Sequence, residues 1–367
     1  MTLIAVLGGG QLGRMLAVAG HSLGFRFRFL DPDPWACAGQ IGELVVGGYD
    51  DPTALRRLID GAAAVTYEFE NVPARAAAWL ESNGPAAGVP LSPSSRSLEV
   101  AQDRLLEKQF FQEHQIGVQA FADLSRPEDV AIAADTVGFP AMLKSRRFGY
   151  DGKGQCRVDS ALEIDPAWQS MGRPPCILEA FVPFEREVSI VAVRGRDGAI
   201  RCWPVTRNVH RKGILWRSDV VAEDDAIIRA AQRAIDRVMT GLGHVGVLAI
   251  EFFVRDGSLI ANEMAPRVHN SGHWTMNGAA TCQFENHLRA ITGLPLGAVE
   301  ALGPATMFNL IGGRPDLEEL LGVPGARVHL YGKEPRAGRK LGHVNLLNAE
   351  PSTIARVEAI CARTNAA

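Results

Sequence analysis

Glu251 and Glu263 sit in two apolar runs, Ala249-Ile250-Glu251-Phe252-Phe253-Val254 and Ser258-Leu259-Ile260-Ala261-Asn262-Glu263. Arg267, His269, Asn270, Ser271 and His273 crowd in behind the second. Two acids, an amide and a row of donors can hold a hard cation beside an anionic reactant. Carboxylate and amide oxygens suit Mg²⁺ better than zinc. At an effective dielectric of about 20, two carboxylates roughly 5 Å apart repel by about 3 kcal/mol, so a positive group belongs between them. A solvated hairpin face explains two glutamates alone, but not the polar run that follows.

A hairpin has to bring the pair together. Asp256-Gly257 is a strong turn signal, and Arg255-Asp256-Gly257 fits a three-residue loop with Gly257 in the left-handed position of a G1 bulge. A loop of odd length puts Glu251 and Glu263 on one face, as diagonal neighbours at most. A two-residue loop would put them on opposite faces.

Three stretches interleave cations with glycine. Ala141-Met142-Leu143-Lys144 reads as a short strand ending in lysine, and Ser145–Gln155 follows with Arg146, Arg147, Gly149, Gly152, Lys153 and Gly154. Backbone N–H groups that glycine leaves accessible can cradle phosphate oxygens. The string G-x-x-x-x-G-K-[ST] is absent, so this is no Walker loop. Thr206–Gly213 reads as a second basic loop, carrying His210. Pro335–His343 is a third, inside a strand-rich region that begins at Pro295. Exposed basic hairpin tips are the simpler alternative for each. Between the first two stretches, Cys176–Val182 reads as a strand with Glu179 near its end, and Glu187 opens the next, Val188–Val193. Phe252 and Phe253 alternate faces beside Glu251, so one of them can pack under a base.

The elements ahead of these residues alternate in type. Strands are expected at Leu3–Leu7, Phe25–Leu30, Glu43–Val46 and Ala64–Tyr67, and helices at Gln11–Leu23, Pro52–Ile59 and Pro73–Ser82. Asp51 can cap the second helix, with Pro52 at its first position. This is the pattern of a parallel α/β sheet. Its first turn, Gly8-Gly9-Gly10-Gln11-Leu12-Gly13, matches G-x-G-x-x-G, and Asp31 ends the next strand, where a dinucleotide-binding fold keeps its ribose acid. On this region alone an NAD enzyme is a fair reading. The same glycines also suit any phosphate at a helix N-terminus, or close helix–strand packing. Glu68-Phe69-Glu70-Asn71 follows the fourth strand, at the end where open α/β sheets bind ligands. Pro85–Pro93 is a linker. Ser94–His114 reads as one helix carrying Asp103, Arg104 and Lys108, and Ala226–Leu242 as an amphipathic helix with Asp224 and Asp225 at its start.

Length and composition bound the rest. A chain of 367 residues, 47% hydrophobic and 22% charged, suggests two or three domains of an ordinary globular enzyme. A net charge of −3 argues against a nucleic-acid footprint. Six scattered cysteines without a C-x-x-C pair suit reduced thiols. No basic-then-apolar leader opens the chain and no apolar run is long enough to span a bilayer, so a cytoplasmic protein without membrane partners is expected.

A strand lysine, a glycine-rich loop and a closing Glu…Asn-Glu set resemble the ATP-grasp ligases. Three strings together, Gly8–Met15 (GGGQLGRM), Gly149–Gln155 (GYDGKGQ) and Asn262–Thr275 (NEMAPRVHNSGHWT), resemble the 5-(carboxyamino)imidazole ribonucleotide synthases of purine biosynthesis. The resemblance runs the whole chain, through Arg336–His343. It implies an ATP-grasp fold, α/β (α+β overall), with a Rossmann-like domain at 1–102, an ATP-grasp domain at 103–295 with a lid near 120–183, and a small strand-rich domain at 296–367. It implies ATP-dependent carboxylation of 5-aminoimidazole ribonucleotide with bicarbonate through carboxyphosphate, and a homodimer.

The resemblance also implies roles. Glu251 and Glu263 would hold Mg²⁺, with Asn262 beside them. ATP would meet Arg104, Lys144, the lid loop Gly149, Tyr150, Asp151, Gly152, Lys153, Gly154 and Gln155, the hinge Glu179, Ala180, Phe181 and Val182, then Glu187, His210 and Phe253. The ribonucleotide would meet Gln11, Leu12, Glu68, Tyr150, Asp151, Ser271, Arg339 and Lys340. Arg267, His269 and Asn270 would face bicarbonate, and Asp151 would orient or deprotonate the amine. The competing readings are a formate-using glycinamide ribonucleotide transformylase on the same architecture, an NAD-dependent dehydrogenase, and a non-catalytic nucleotide sensor.

Overall fold

The computed structural model describes residues 1–149, 154–220 and 225–364. Its first unit is a parallel sheet, as the alternation of elements predicts: β1 (Leu3–Leu7), α1 (Gln11–His21), β2 (Arg26–Asp31), β3 (Glu43–Val46), α2 (Pro52–Ile59), β4 (Ala64–Tyr67) and α3 (Ala74–Asn83). The strand order is β3-β2-β1-β4, all parallel. Asp51 caps α2 as its position suggests, accepting the Thr53 N–H at 2.8 Å.

The expected single helix over Ser94–His114 is two, α4 (Ser95–Gln102) and α5 (Arg104–Glu113). Asp103 between them is extended (φ −121°, ψ 108°). Its carboxylate accepts the Leu105 N–H at 3.1 Å and a two-pronged bond from Arg146 at 2.9 and 2.8 Å. The break therefore opens α5 with a capped, charge-bearing end that anchors the root of the glycine-rich loop.

A small antiparallel sheet follows: β5 (Phe121–Leu124), α6 (Asp129–Val137), β6 (Ala141–Ser145), β7 (Gln155–Val158), α7 (Ala161–Ser170) and β8 (Cys176–Ala180), with strand order β5-β8-β6-β7. Leu124, Leu143, Val158, Ile164, Trp168 and Leu178 form its own core.

The third sheet has nine strands. They are β9 (Arg186–Arg194), β10 (Ile200–Cys202), β11 (Thr206–Arg211) and β12 (Ile214–Val220), then, after α8 (Asp225–Gly241), β13 (Gly246–Arg255) and β14 (Ser258–Ala265). After α9 (Thr275–Gly278) and α10 (Gln283–Thr292) come β15 (Ala305–Ile311), α11 (Leu317–Leu321), β16 (Arg327–Leu330), β17 (Lys340–Leu347) and α12 (Pro351–Thr364). The order is β14-β13-β9-β11-β12-β15-β17-β16, with β10 on β9. The strand-rich C-terminal region is thus hydrogen-bonded to the central sheet through β12 and β15.

The central strands are buried on both faces, which is why they read as unbroken apolar runs. Ile190, Leu248 and Ile250 pack with Ile227, Ile235 and Val238 of α8. Val191, Val247 and Ala249 pack on the other side with Leu288 of α10 and with Ile4, Val6 and Leu16 of the first unit. That shared cluster fixes the glycine turn after β1 beside the central sheet. One sequence expectation fails here. Thr206–Gly213 is no loop but strand β11, held between β9 and β12, with only Lys212 and Gly213 turning at positive φ. Its polar look comes from the exposed Arg207 and Arg211 and from Asn208, which is buried and bonds Ser189 and Ser218. No helix among the described residues is long and apolar enough to cross a membrane.

Candidate functional site

The hairpin that carries the two acids closes differently from the expectation. Arg255 pairs with Ser258, so the loop is the two-residue Asp256-Gly257, both left-handed (φ 49° and 68°) as a type I′ turn requires. Such a turn alone would send Glu251 and Glu263 to opposite faces. A β-bulge corrects it. Phe252 pairs with Ala261 and Glu251 with Glu263, leaving Asn262 as the extra residue. The acids are therefore direct cross-strand partners, and the bulge sits at Asn262, not at Gly257. All three side chains line one cavity of about 580 Å³ between the sheets.

Burial, opposed by His210 and reinforced by Glu263 and Glu187, pushes the Glu251 carboxyl up to about 7. A positive neighbour is present but not between the pair: Arg104 lies 3.3 Å from Glu263, while the His269 ring puts its Nε2 3.7 Å from Glu251.

One end of the cavity is built on β6, β8, β9, β11 and β13. The Lys144 ammonium donates to Glu179 at 2.7 Å, and Gln119 donates to the same oxygen at 2.6 Å. Burial would raise the Glu179 carboxyl, but Lys108 and Lys144 outweigh it and hold it at about 2. The Ala180 and Phe181 N–H groups are already spent on the Ala120 and Pro140 carbonyls, at 2.8 and 3.0 Å. Ala180, Phe181 and Val182 line the wall, and Phe253 stacks on Phe184 with centroids 4.6 Å apart. His210 Nδ1 bonds Glu187 at 2.5 Å. Burial works against a charged His210, yet the Glu187 bond and the nearby Glu251 charge raise its pKa. Gly149 and Gln155 line the cavity, and Gly154 lies beside it with its carbonyl on the Ser145 N–H. Tyr150, Asp151, Gly152 and Lys153 lie outside the described residues, as does Asp224.

The other end gathers the turn after β1, the residues after β4 and those after β14. Arg267 bonds Glu70 through Nε and the Val268 carbonyl through Nη1 at 3.0 Å. Burial raises Glu70 less than Arg267 lowers it, leaving it at about 2. Burial beside Arg267 and Lys340 pushes His269 down to about 3, so it is neutral. Its Nδ1 accepts the Ser271 N–H at 3.3 Å and lies 2.9 Å from the Ser271 hydroxyl, which leaves the ring proton on Nε2. Ser271 is fully buried behind His269 and is no part of the cavity wall. Both amide atoms of Asn270 are buried and have no partner among the described residues.

Gln11, Leu12, Glu68 and Lys340 also line this end. Arg339 does not; it donates to the Glu334 carbonyl at 3.2 Å. The glycine turn offers no seat for an outside phosphate, because Glu68 fills it and accepts the Gly10 N–H and, at 2.7 Å, the Gly13 N–H. A Cβ on Gly10 would overlap Glu68 Oε1, which is why glycine stands there. Asp31 is spent too, on the Gly9 N–H at 2.8 Å and the Tyr49 hydroxyl at 2.9 Å. Neither half of a dinucleotide fingerprint is available.

Sequence reasoning passed over Glu70 as a partner for Arg267, and Lys333, whose ammonium bonds Gln11. Lys333 stands two residues ahead of the quoted Pro335–His343 string, so the basic stretch was there to extend. Glu70 lay in a quoted run, but nothing local ties it to a residue 197 positions away.

Residues 109–284 match the ATP-grasp domain family, residues 1–102 the ribonucleotide synthetase preATP-grasp domain, and residues 305–356 the phosphoribosylaminoimidazole carboxylase C-terminal domain. The chain is 47% identical over 361 residues to the N5-carboxyaminoimidazole ribonucleotide synthase of Pseudomonas aeruginosa, covering 97% of this chain and 99% of that one. It superposes with a TM-score of 0.92 on the N5-carboxyaminoimidazole ribonucleotide synthetase of Thermus thermophilus, at 50% identity over 97% of this chain and 98% of that one. It also matches the Aspergillus clavatus synthase solved with ADP and 5-aminoimidazole ribonucleotide, with a TM-score of 0.89 at 30% identity over 100% and 99% of the two chains.

Proposed function

The chain belongs to the N5-carboxyaminoimidazole ribonucleotide synthases of the ATP-grasp ligases, and from this premise we infer which parts of the cavity perform ATP-dependent carboxylation of 5-aminoimidazole ribonucleotide in purine biosynthesis. The observation that carries the assignment is one cavity with two chemically distinct ends meeting at Glu251 and Glu263. The end built on β6, β8, β9 and β11 takes ATP. The end around Arg267 and Gln11 takes bicarbonate and the ribonucleotide.

Phosphoryl transfer asks a protein for alignment and charge neutralisation more than covalent chemistry. Lys144 and Arg104 supply cations toward the phosphates, and His210, held by Glu187, lines the same end. Phe253 and Phe184 offer an apolar face to the adenine, and the hinge segment Glu179–Val182, at the end of β8, runs along its edge. Glu187 is the acid for the ribose hydroxyls.

Glu251, Glu263 and Asn262 fit Mg²⁺ by their oxygens. Burial, with the Glu263 and Glu187 charges, raises the Glu251 carboxyl, which a bound cation would offset. Among the described residues no cluster of three or more ligating acids, histidines or cysteines exists. Mg²⁺ bound through one or two carboxylates takes its remaining oxygens from phosphates and water. When bound it supplies neutralisation of the phosphate charge.

At the far end, Arg267 presents a planar fork to a carboxylate-like reactant, with Glu70 fixing its plane. The unpartnered Asn270 amide offers a donor and an acceptor in the dry wall, which suits bicarbonate, itself both. His269 offers an Nε2 proton without becoming charged. Carboxyphosphate formed here needs this enclosure, since water would hydrolyse it. Gln11 and Leu12, with Lys340, face the ribonucleotide, and Lys333 holds the Gln11 side chain.

Replacing bicarbonate and 5-aminoimidazole ribonucleotide by formate and glycinamide ribonucleotide in an assay with ATP tests the reading. ADP is expected with the bicarbonate pair alone. Comparable ADP release with the formate pair would move the chain to the formate-using ligases.

A further inference from the structure

Strand β14 is the edge of the central sheet, so its outer backbone groups have no strand to pair with. Helix α5 takes them instead. The fully buried Lys108 ammonium donates to two successive carbonyls, Ala261 at 2.9 Å and Asn262 at 2.6 Å. In a regular strand successive carbonyls point to opposite edges; one cation reaches both only where a bulge turns them the same way. On the far side of Glu263, the buried Glu107 carboxylate accepts the Met264 N–H at 2.6 Å. Neighbouring residues of one helix thus grip the strand just before and just after Glu263. The Ala261 N–H, bonded to the Gly117 carbonyl at 2.8 Å, adds a third tie.

We propose that Glu107 and Lys108 are positioning residues for the reaction: they hold the Asn262 bulge, and the bulge alone turns Glu263 toward Glu251. A slip of one residue moves every side chain to the other face. Without the bulge the two-residue turn would set Asn262 opposite Glu251 and swing Glu263 toward the apolar cluster under α8. The proposal rests on the reading that Glu251 and Glu263 hold Mg²⁺.

The test compares wild type with Lys108→Met and with Glu107→Gln/Lys108→Met, which keeps the wild-type net charge. ADP affinity is measured calorimetrically with and without Mg²⁺, and backbone hydrogen exchange over residues 261–264 is followed in metal-free protein. The Mg²⁺-dependent tightening of ADP binding should fall about tenfold to a hundredfold, the usual effect of losing an outer-shell partner. Lys108 also lies 4.0 Å from Glu179 at the ATP end, so metal-free ADP affinity should fall, but less than the affinity with Mg²⁺. Exchange over 261–264 should rise and exchange along β13 should not. Lys108→Arg should recover part of the loss.

A folded variant that keeps the full Mg²⁺ effect overturns the proposal. So does equal weakening of ADP with and without Mg²⁺, the mark of a purely structural role. If Lys108→Met does not fold, the charge-balanced variant decides; failure of both to fold also overturns it, since the pair would then serve the core. If wild type itself shows no Mg²⁺ effect, the metal reading fails, and the metal-free exchange still decides the clamp.

Discussion

Glu70→Gln is the perturbation whose size the structure fixes best. The Glu70 carboxyl is held at about 2 against an ordinary 4.5, with burial outweighed by Arg267. At about 1.36 kcal/mol per unit the shift amounts to roughly 3 kcal/mol. The side chain is 29% exposed, so solvent screening brings this nearer about 2 kcal/mol. The sign follows from linkage: a lowered carboxylate pKa stabilises the fold above 4.5, and that stability is lost as pH falls toward 2. Glutamine keeps the shape and an acceptor but removes the charge, so the loss should be complete at neutral pH. With an unfolding entropy of about 2.1 cal/mol/K per residue over 367 residues, that lowers the melting temperature by about 2–3 °C. Loosening Arg267 by about 1.4–2.7 kcal/mol at the transition state should cut kcat/KM for bicarbonate about tenfold to a hundredfold. ADP affinity, read at the other end of the cavity, should not move. The assay pair is thermal melting of the metal-free protein and coupled ADP release at varied bicarbonate. A variant that melts and turns over like wild type would refute the claim that Glu70 holds Arg267 for the reactant.

Glu263→Gln should leave the fold intact, because the side chain faces the cavity and is 43% exposed, and should reduce turnover by about a hundredfold or more; near-normal turnover would remove Glu263 from the metal site. Each of three buried histidines should cost stability as pH falls. Burial lowers His244 to about 4 and both His269 and His287 to about 3, against 6.5 unfolded. The unfolded chain therefore takes up protons first as pH falls below 6.5, and each ring costs about 2 kcal/mol by about pH 5. Glu251 and Glu107, which burial raises to about 7 and about 8, work the other way over the same range, so the histidine contribution is read by difference. A His287→Gln variant whose urea midpoint changes between about pH 7 and pH 5 just as wild type does would contradict this.

Where local chemistry decides structure, the sequence was readable. Asp51-Pro52 starts α2 because an acceptor side chain and a preset φ act within one turn. Strands β1 and β4 are legible because both-face burial leaves short runs without charge, and β2 because its phenylalanines alternate with exposed or half-buried arginines. The hairpin shows the limit. Asp256-Gly257 announces a turn, yet the face that Glu263 takes depends on a bulge gripped by Glu107 and Lys108, about 155 positions earlier. Asp103 breaks a helix whose apolar periodicity continues, because Arg146 binds it from another sheet. The GGGQLG turn displays its glycines but hides that Glu68 occupies them. Thr206–Arg211 reads as a loop because Arg207 and Arg211 are exposed on one side of the strand while Thr206 and Asn208 are polar residues paired inside the sheet. The acids, cations and donors could be named from sequence; which of them face the cavity and which are spent on the chain itself depended on long-range pairing.

The central claim is that one cavity couples ATP cleavage to carboxylation of the ribonucleotide. The direct measurement is ADP release by the full chain with Mg²⁺, omitting ATP, bicarbonate and 5-aminoimidazole ribonucleotide in turn. Full release should need all three, with the carboxylated ribonucleotide formed in step with ADP. ADP release that ignores the ribonucleotide, or none above background with every substrate present, would contradict the account.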